Sequence, residues 1–335
     1  MENTDYPLVT FVILAYNAES FIEESINGAF SQCYPNLEII ISDDGSSDAT
    51  YSVVKEVVGS YDGPHRVLIN RNEKNLGTLA HFFKVADLSS GRLIILSAAD
   101  DISIPQRVSV TVENWKRTGA SAYFSDYFLI NDQGSVINDN YSPGKYSKMI
   151  EKVFGFPYRY EIHGASSAYD VEFVRSLPRP KDKFLFEDAY MTFMLNAFSK
   201  AYYKIDAPLV KYRQHSGSVS NSSGAKVIFR DERLRQIRML DVYDNRYRLS
   251  VFLLQCVDVI DVKGFSRPEY LLQVEKFKVK SRWVDTGFVG RLKLVLFSPL
   301  DLNFKFWILV RVFGVDFFVL MKVFFRRFKR CLEFD

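Results

Sequence analysis

Cysteine is scarce in this chain: Cys33, Cys256 and Cys331 are the only three in 335 residues. They lie far apart and without metal-ligand spacing, which argues against a disulfide framework or a cysteine zinc site and fits a reducing compartment. The opening Met1-Glu2-Asn3-Thr4-Asp5-Tyr6-Pro7 has no basic head and no long apolar run, so it reads as carrying no secretory signal. Net charge is small, +3, and by itself implies no polyanionic partner. No internal repeat or long low-complexity tract is visible. Glycine-rich phosphate loops are missing too. The first apolar run ends in Ala15-Tyr16-Asn17-Ala18-Glu19-Ser20, which is neither a Gly-x-Gly-x-x-Gly turn nor a Walker loop.

What is there is an alternation of strands and helices. Leu8 to Ala15 reads as a buried parallel strand. Ser20 to Gln32 reads as a helix, with Ser20 as N-cap and Glu23 as its capping-box partner. Leu37 to Ser42, Val67 to Ile69 and Arg92 to Ser97 read as strands; Ala49 to Val58, Leu79 to Leu88 and a segment from Pro105 toward Arg117 read as helices. This βα alternation predicts a doubly wound, mostly parallel α/β sheet. Strands are then expected in 120–130, 135–138 and 201–213, a helix near 187–199, and a flexible loop at 216–224. A catalytic domain over 1–222 and a helical extension over 223–335 are expected.

Two acidic pairs end apolar strands: Asp43-Asp44, followed by Gly45-Ser46-Ser47-Asp48, and Asp100-Asp101. Ligands of open α/β sheets bind outside the carboxyl ends of strands. Hard divalent cations take carboxylates plus phosphate oxygens, so the pairs suit a metal-bound nucleotide diphosphate. The structural alternatives are helix capping and turn formation, both common for aspartate.

The segments 9–17 and 31–48, then Asn75-Leu76-Gly77, Gly91 through Asp101, Pro105-Gln106-Arg107 and Glu187-Asp188, together resemble glycosyltransferase family 2 over about residues 8–220. The resemblance implies a GT-A fold and transfer of one sugar from a nucleotide-diphosphate sugar with inversion. It gives donor contacts to Tyr16, Asn17, Asp44, Asn75 and Asp100, with Tyr16 and Asp44 on the nucleoside side. It implies a divalent metal (Mn²⁺ or Mg²⁺) on Asp101, and Asp188 as general base. His215 resembles a late histidine that approaches the metal or diphosphate; a surface histidine is the alternative. Arg213 could serve the phosphates, though a lone arginine is usually a solvated charge. For Asp188 the alternative is a helix-start carboxylate favoured by the dipole. One departure stands out: His81-Phe82 occupies the place of a frequent Arg-Asn pair. His163-Gly164-Ala165-Ser166-Ser167-Ala168 reads either as lining the acceptor side or as a tight buried strand.

Residues 225–263 carry charges among apolar positions and read as an amphipathic helix. Segment 304–328 holds Trp307 and many phenylalanines, interrupted by Arg311 and Asp316, with Lys322, Arg326, Arg327, Lys329 and Arg330 beside it. No clean apolar span of the ~18 residues a membrane helix needs is present there. The pattern fits a helix lying on an anionic membrane, or else a core or dimer helix. The expected protein is a cytoplasmic enzyme on the inner face of the membrane. It would use a UDP-sugar first, with dTDP- and GDP-sugars as alternatives, and a lipid-linked saccharide acceptor for O-antigen, capsule or exopolysaccharide. No nucleic-acid partner is expected. A nucleotidyltransferase, or a non-catalytic sugar- or membrane-binding protein of the same fold, is the competing reading.

Overall fold

A computed structural model describes residues 6–141, 148–150, 162–215 and 232–259, with 270, 271, 274, 275 and 278. In chain order the strands are β1 (Val9–Ala15), β2 (Leu37–Asp43), β3 (Arg66–Arg71), β4 (Leu93–Ala98), β5 (Ile102–Ser103), β6 (Ala122–Ile130), β7 (Val136–Tyr141), β8 (Lys148–Ile150), β9 (Ala168–Asp170) and β10 (Tyr202–Arg213). The helices are α1 (Ile22–Phe30), α2 (Thr50–Gly59), α3 (Thr78–Leu88), α4 (Arg107–Thr118), α5 (Val171–Ser176), α6 (Glu187–Ala197) and α7 (Glu232–Val259).

One sheet runs β3-β2-β1-β4-β9-β6-β10-β5, with β7 on β6 and β8 on β10. Its first four strands are parallel, as the βα alternation requires. Beyond β4 the sheet is mixed. The short strand β9 lies antiparallel between β4 and β6, and only β6 and β10 pair in parallel there. Strands β1 and β2 are buried almost throughout because helices cover both faces, which explains their largely apolar character.

Buried polar side chains fix the connections. Glu38, 5% exposed, accepts from Thr10 Oγ1 (2.5 Å), Ser90 N (2.5 Å) and Gly91 N (3.2 Å), locking the turn into β4. Gln32 donates to the carbonyls of Gly28 and Ile104 and accepts from Val108 N, tying α1 to α4. Each charge or amide is thereby satisfied, as burial demands.

The capping box at Ser20 does not form. Helix α1 begins at Ile22, with Phe21 at the N-cap and no side-chain cap. The Ala18 carbonyl accepts from the amides of both Phe21 and Ile22, so a backbone turn satisfies the helix start instead. The helix after Pro105 starts at Arg107, and the one near 187 ends at Ala197 rather than Ser199. Cys33 and Cys256 are both free.

The chain divides into two compact units, 1–228 with 252–265 and 229–251 with 266–335. In the first, Phe252 packs 6.0 Å from Phe184 and 6.3 Å from Tyr190 between ring centres. Helix α7 lies within the expected amphipathic stretch. The serine- and glycine-rich loop at 216–224 and the aromatic-basic segment at 304–330 lie outside the described residues. Among those described, no helix is long and apolar enough to cross a membrane.

Candidate active site

Pairing brings three strand ends together. Ala15 sits opposite Asp43, and Leu14 opposite both Ser42 and Ala98. Asp44 N donates to Ala15 O (2.8 Å), and Ala99 N to Leu14 O (3.1 Å). Tyr16, the Asp43-Asp44 pair and the Asp100-Asp101 pair therefore leave the sheet side by side at its carboxyl edge.

The loop after β1 is built against the loop after β2. Asn17 adopts a left-handed φ of 48°, a region asparagine tolerates. Its amide donates to Ser46 Oγ (2.9 Å), and its Oδ1 accepts from Ser47 N (2.9 Å). Tyr16 beside it is 50% exposed, an open ring at the site's edge. The two aspartates that follow β2 differ in use. Asp43 makes turn chemistry: it accepts from Ser46 N and Oγ and pairs with Arg71 (3.1 Å). Asp44, 2% exposed, accepts from Asn72 Nδ2 (2.8 Å) and Leu76 N (2.9 Å) on Oδ1, and from Gly77 N (3.0 Å) on Oδ2. It thus shapes the loop that carries Asn75, which is half-buried beside Gly45.

The second pair is organised by Arg213, which the sequence had allowed as a phosphate ligand or a solvated charge. It is neither: its side chain is fully buried. Its amide donates to Asp101 Oδ1 (2.9 Å), its Nε to the Asp100 carbonyl (2.9 Å), its Nη1 to the Asp132 carbonyl (2.9 Å), and its Nη2 to Glu24 (3.0 Å). It also lies 4.9 Å over the Phe21 ring, which packs at 4.6 Å on His215. His215 Nε2 is 3.0 Å from Asp100 Oδ2. Asp101 is fully buried, and its Oδ2 has no hydrogen-bond partner among the described residues. Burial, then the charge of Asp100, pushes the Asp101 carboxyl well above its ordinary range, against the pull of the Arg213 amide and of Arg107.

Among the described residues no three His, Cys, Asp or Glu side chains converge as a ready-made metal cage. A Mg²⁺-type ion on a diphosphate needs only one or two protein carboxylates. Asp100, Asp101 with its unpartnered oxygen, and the adjoining His215 fit that requirement.

Asp188 lies in the first turn of α6, where the helix dipole favours a carboxylate; its Oδ1 accepts from Ala189 N (2.7 Å). Glu187, partly buried, points at Gly164. A methyl group at Gly164 would collide with Glu187 Oε1 and approach Asp188 Cβ to 3.6 Å. Burial, then the neighbouring Asp188 charge, raises the Glu187 carboxyl to about 8. The segment 163–168 is a single 3-10 turn, Gly164–Ser166, leading into β9. It links the two acidic groups, because the fully buried Arg107 donates to Leu96 O (2.6 Å) and Ser167 O (3.3 Å) and exerts a charge effect on Asp101. His163 stacks on Tyr127 at 4.4 Å.

Sequence reasoning named Arg107 and Glu187 as motif members, Arg213 as a phosphate contact or solvated charge, and His81 as a departure, and it missed the burial and the contacts through which they shape the site. The spacing of Arg213 to His215 and the acidic doublet were the signals for two of them. Their burial depends on chain segments far apart in sequence.

A glycosyl transferase family 2 model matches residues 10–176. An uncharacterized glycosyltransferase of Haemophilus influenzae is 33% identical over 43% of this chain, and the match spans 44% of that protein. The UDP-Glc:alpha-D-GlcNAc-diphosphoundecaprenol beta-1,3-glucosyltransferase WfaP of Escherichia coli is 27% identical over 69% of this chain and 86% of its own. In structure, S. aureus TarS 1–349 in complex with UDP-GlcNAc superposes with a TM-score of 0.57 at 14% identity, covering 88% of this chain and 77% of that one. The mannosyltransferase PcManGT of Pyrobaculum calidifontis, in complex with GDP-Man and Mn²⁺, gives 0.55 at 13% identity over 96% and 80%. These structural likenesses speak to the GT-A fold.

Proposed function

The chain belongs to glycosyltransferase family 2 through residues 10–176, and from that premise we propose an inverting enzyme. It moves one sugar from a nucleotide-diphosphate sugar, a UDP-sugar first, to a lipid-linked saccharide in surface-polysaccharide synthesis. The observation that carries this reading is the convergence of Tyr16, Asp44 and Asp100-Asp101 at adjoining strand ends. The name of WfaP, which specifies UDP-Glc and a GlcNAc-diphosphoundecaprenol, supports the donor and acceptor classes.

In this reading Tyr16 and Asp44 hold the nucleoside, Asn17 and Asn75 also contact the donor, and Asp100 meets the ribose or diphosphate. Asp101 and His215, with Asp100, would hold Mn²⁺ or Mg²⁺, which supplies Lewis-acid stabilisation of the departing diphosphate. Asp188 accepts the proton of the acceptor hydroxyl as its oxygen attacks the anomeric carbon. The bond from that carbon to the diphosphate breaks on the opposite face, so configuration inverts. One base suffices, unlike the paired carboxyl groups of a glycoside hydrolase. Residues 1–222 act as the catalytic domain and 223–335 as a helical extension. The aromatic-basic segment of that extension would rest on the cytoplasmic face of the membrane, where a lipid-linked acceptor resides.

Calorimetric binding of UDP, dTDP, GDP and CDP, each with and without Mn²⁺, tests the donor. Tight metal-dependent binding of UDP, lost in Asp101→Ala, is expected. No binding of any nucleotide by folded protein would favour a non-catalytic protein of the same fold.

A further inference from the structure

A ring of polar side chains, buried except for the half-buried Asn70, closes on Asp44. Ser42 is fully buried, His81 and Asp44 are each 2% exposed, and Asn72 is 4% exposed. Asn70 Nδ2 donates to Ser42 Oγ (2.8 Å) and to Asn72 Oδ1 (3.2 Å). Asn72 Nδ2 donates to Asp44 Oδ1 (2.8 Å). Ser42 Oγ and His81 Nε2 are 2.6 Å apart, and His81 Nδ1 lies 4.0 Å from Asp44 Oδ2.

The carboxylate that faces Nδ1 favours one tautomer. Asp44 can only accept, so the imidazole proton is placed on Nδ1, the edge that faces it. Ser42 Oγ, which accepts from Asn70, then donates its hydroxyl proton to His81 Nε2. At 4.0 Å the approach of Nδ1 to Asp44 is an electrostatic contact rather than a hydrogen bond. Burial holds the imidazole pKa down at about 4, so the ring is neutral at ordinary pH. Serine, histidine and aspartate thus stand in the order of a hydrolytic triad, yet the arrangement is no nucleophile. The Ser42 hydroxyl has no exposed surface, and the Asp44 carboxylate is engaged by Asn72 and two backbone amides.

We propose that His81 is a positioning residue for the donor nucleotide: as its Nδ1–H tautomer it completes the polar ring that fixes the Asp44 carboxylate and the loop from Asn72 to Gly77. This rests on Asp44 holding the nucleoside of the donor, as proposed above, with its carboxylate directed at the base. Asp44 Oδ1 has two chain donors and Oδ2 has one, so Oδ2 keeps an acceptor position for a base N–H. His81 faces that same oxygen and restrains where it points. The nucleoside side of this chain thus sets a neutral, buried imidazole against the Asp44 carboxylate.

Three measurements test this. Long-range ¹H–¹⁵N spectra of the full chain, which has four histidines, should show His81 as the Nδ1–H tautomer; an Nε2–H signal would overturn the ring. UDP affinity is then measured for His81→Asn, His81→Gln and Asp44→Asn. Asparagine keeps an N–H near the Nδ1 position and should bind UDP within ~3-fold of the parent. Glutamine offers its amide near Nε2 instead and should weaken binding about tenfold, equivalent to ~1.4 kcal/mol. The donor KM should rise in the glutamine variant while kcat stays, a split that mere loss of folding would not give. If Asp44→Asn leaves UDP affinity intact, the base contact itself fails and His81 falls with it. If Asp44→Asn weakens binding and both His81 variants bind like the parent, the role of His81 alone is overturned.

Discussion

Glu187 and Asp188 are consecutive, partly buried carboxylates at one helix start, and the structure packs the carboxyl of the first against Gly164. Its carboxyl is raised to about 8 from the ordinary 4.5, chiefly by burial. Between those values the folded state holds a proton that the unfolded chain has released, so stability falls as pH rises through this window. Glu187→Gln should remove that slope, and its melting temperature should exceed that of the parent most clearly above about pH 8. Equal pH dependence in the two proteins would contradict the assignment. At Asp188 the expectation concerns rate: Asp188→Asn should keep nucleotide affinity and lose transfer by ~10²-fold or more. Undiminished transfer would remove Asp188 as the base.

At the scale of elements, the loop after β2 depends on a conformation that side chains resist. Gly45 has a φ of +71°, and a methyl group there would lie 3.0 Å from the Lys74 backbone. Gly45→Ala should therefore cost about 1–2 kcal/mol in chemical denaturation from the left-handed backbone alone. It should also weaken UDP binding, because the loop carrying Asn75 would be displaced. Parent-like stability would show that the loop yields without strain. The same element-level logic explains the failed cap at Ser20. Ala18 N is tied to Thr50 Oγ1 (2.7 Å), and Ala18 O already serves two amides, so the N-cap falls at Phe21, one residue later than the local motif predicts.

At the scale of the whole molecule, the proposed lipid-linked acceptor requires approach to a membrane, and no helix among the described residues is long and apolar enough to cross one. The sequence of the aromatic-basic segment 304–330 suits that approach. Its phenylalanines would give apolar anchorage, and the five cations from Lys322 to Arg330 would give attraction to anionic headgroups. The full chain should sediment with phosphatidylglycerol vesicles and much less with phosphatidylcholine vesicles. High salt should release it, because the electrostatic part is screened. Equal recovery from both vesicle types would assign the segment to protein packing instead.

The parallel half of the sheet was legible in sequence because β1, β2 and β4 are buried along nearly their whole length and read as largely apolar runs, while the edge strand β3 showed only its short Val67-Leu68-Ile69 stretch. The acidic pairs were legible because strands end where turn residues begin, and the family resemblance followed from several motifs in fixed order. The mixed half was not: β9 is only three residues long, and its pairing with β4 and β6 is set by distant partners. Nor could sequence separate Asp43 from Asp44. Both follow one apolar strand, but only the folded chain brings Arg71 to the first and Asn72, Leu76 and Gly77 to the second. Arg213 makes the same point. Local composition makes an arginine a surface charge; a buried position becomes tolerable only once Glu24, Asp100, Asp101 and Asp132 surround it. Local pattern fixed which elements form and which residues end them, because periodicity and turn chemistry act over a few residues. Tertiary structure decided which of those residues are buried and paired, because desolvation and hydrogen bonding are settled by neighbours up to about two hundred positions away, as between Glu24 and Arg213.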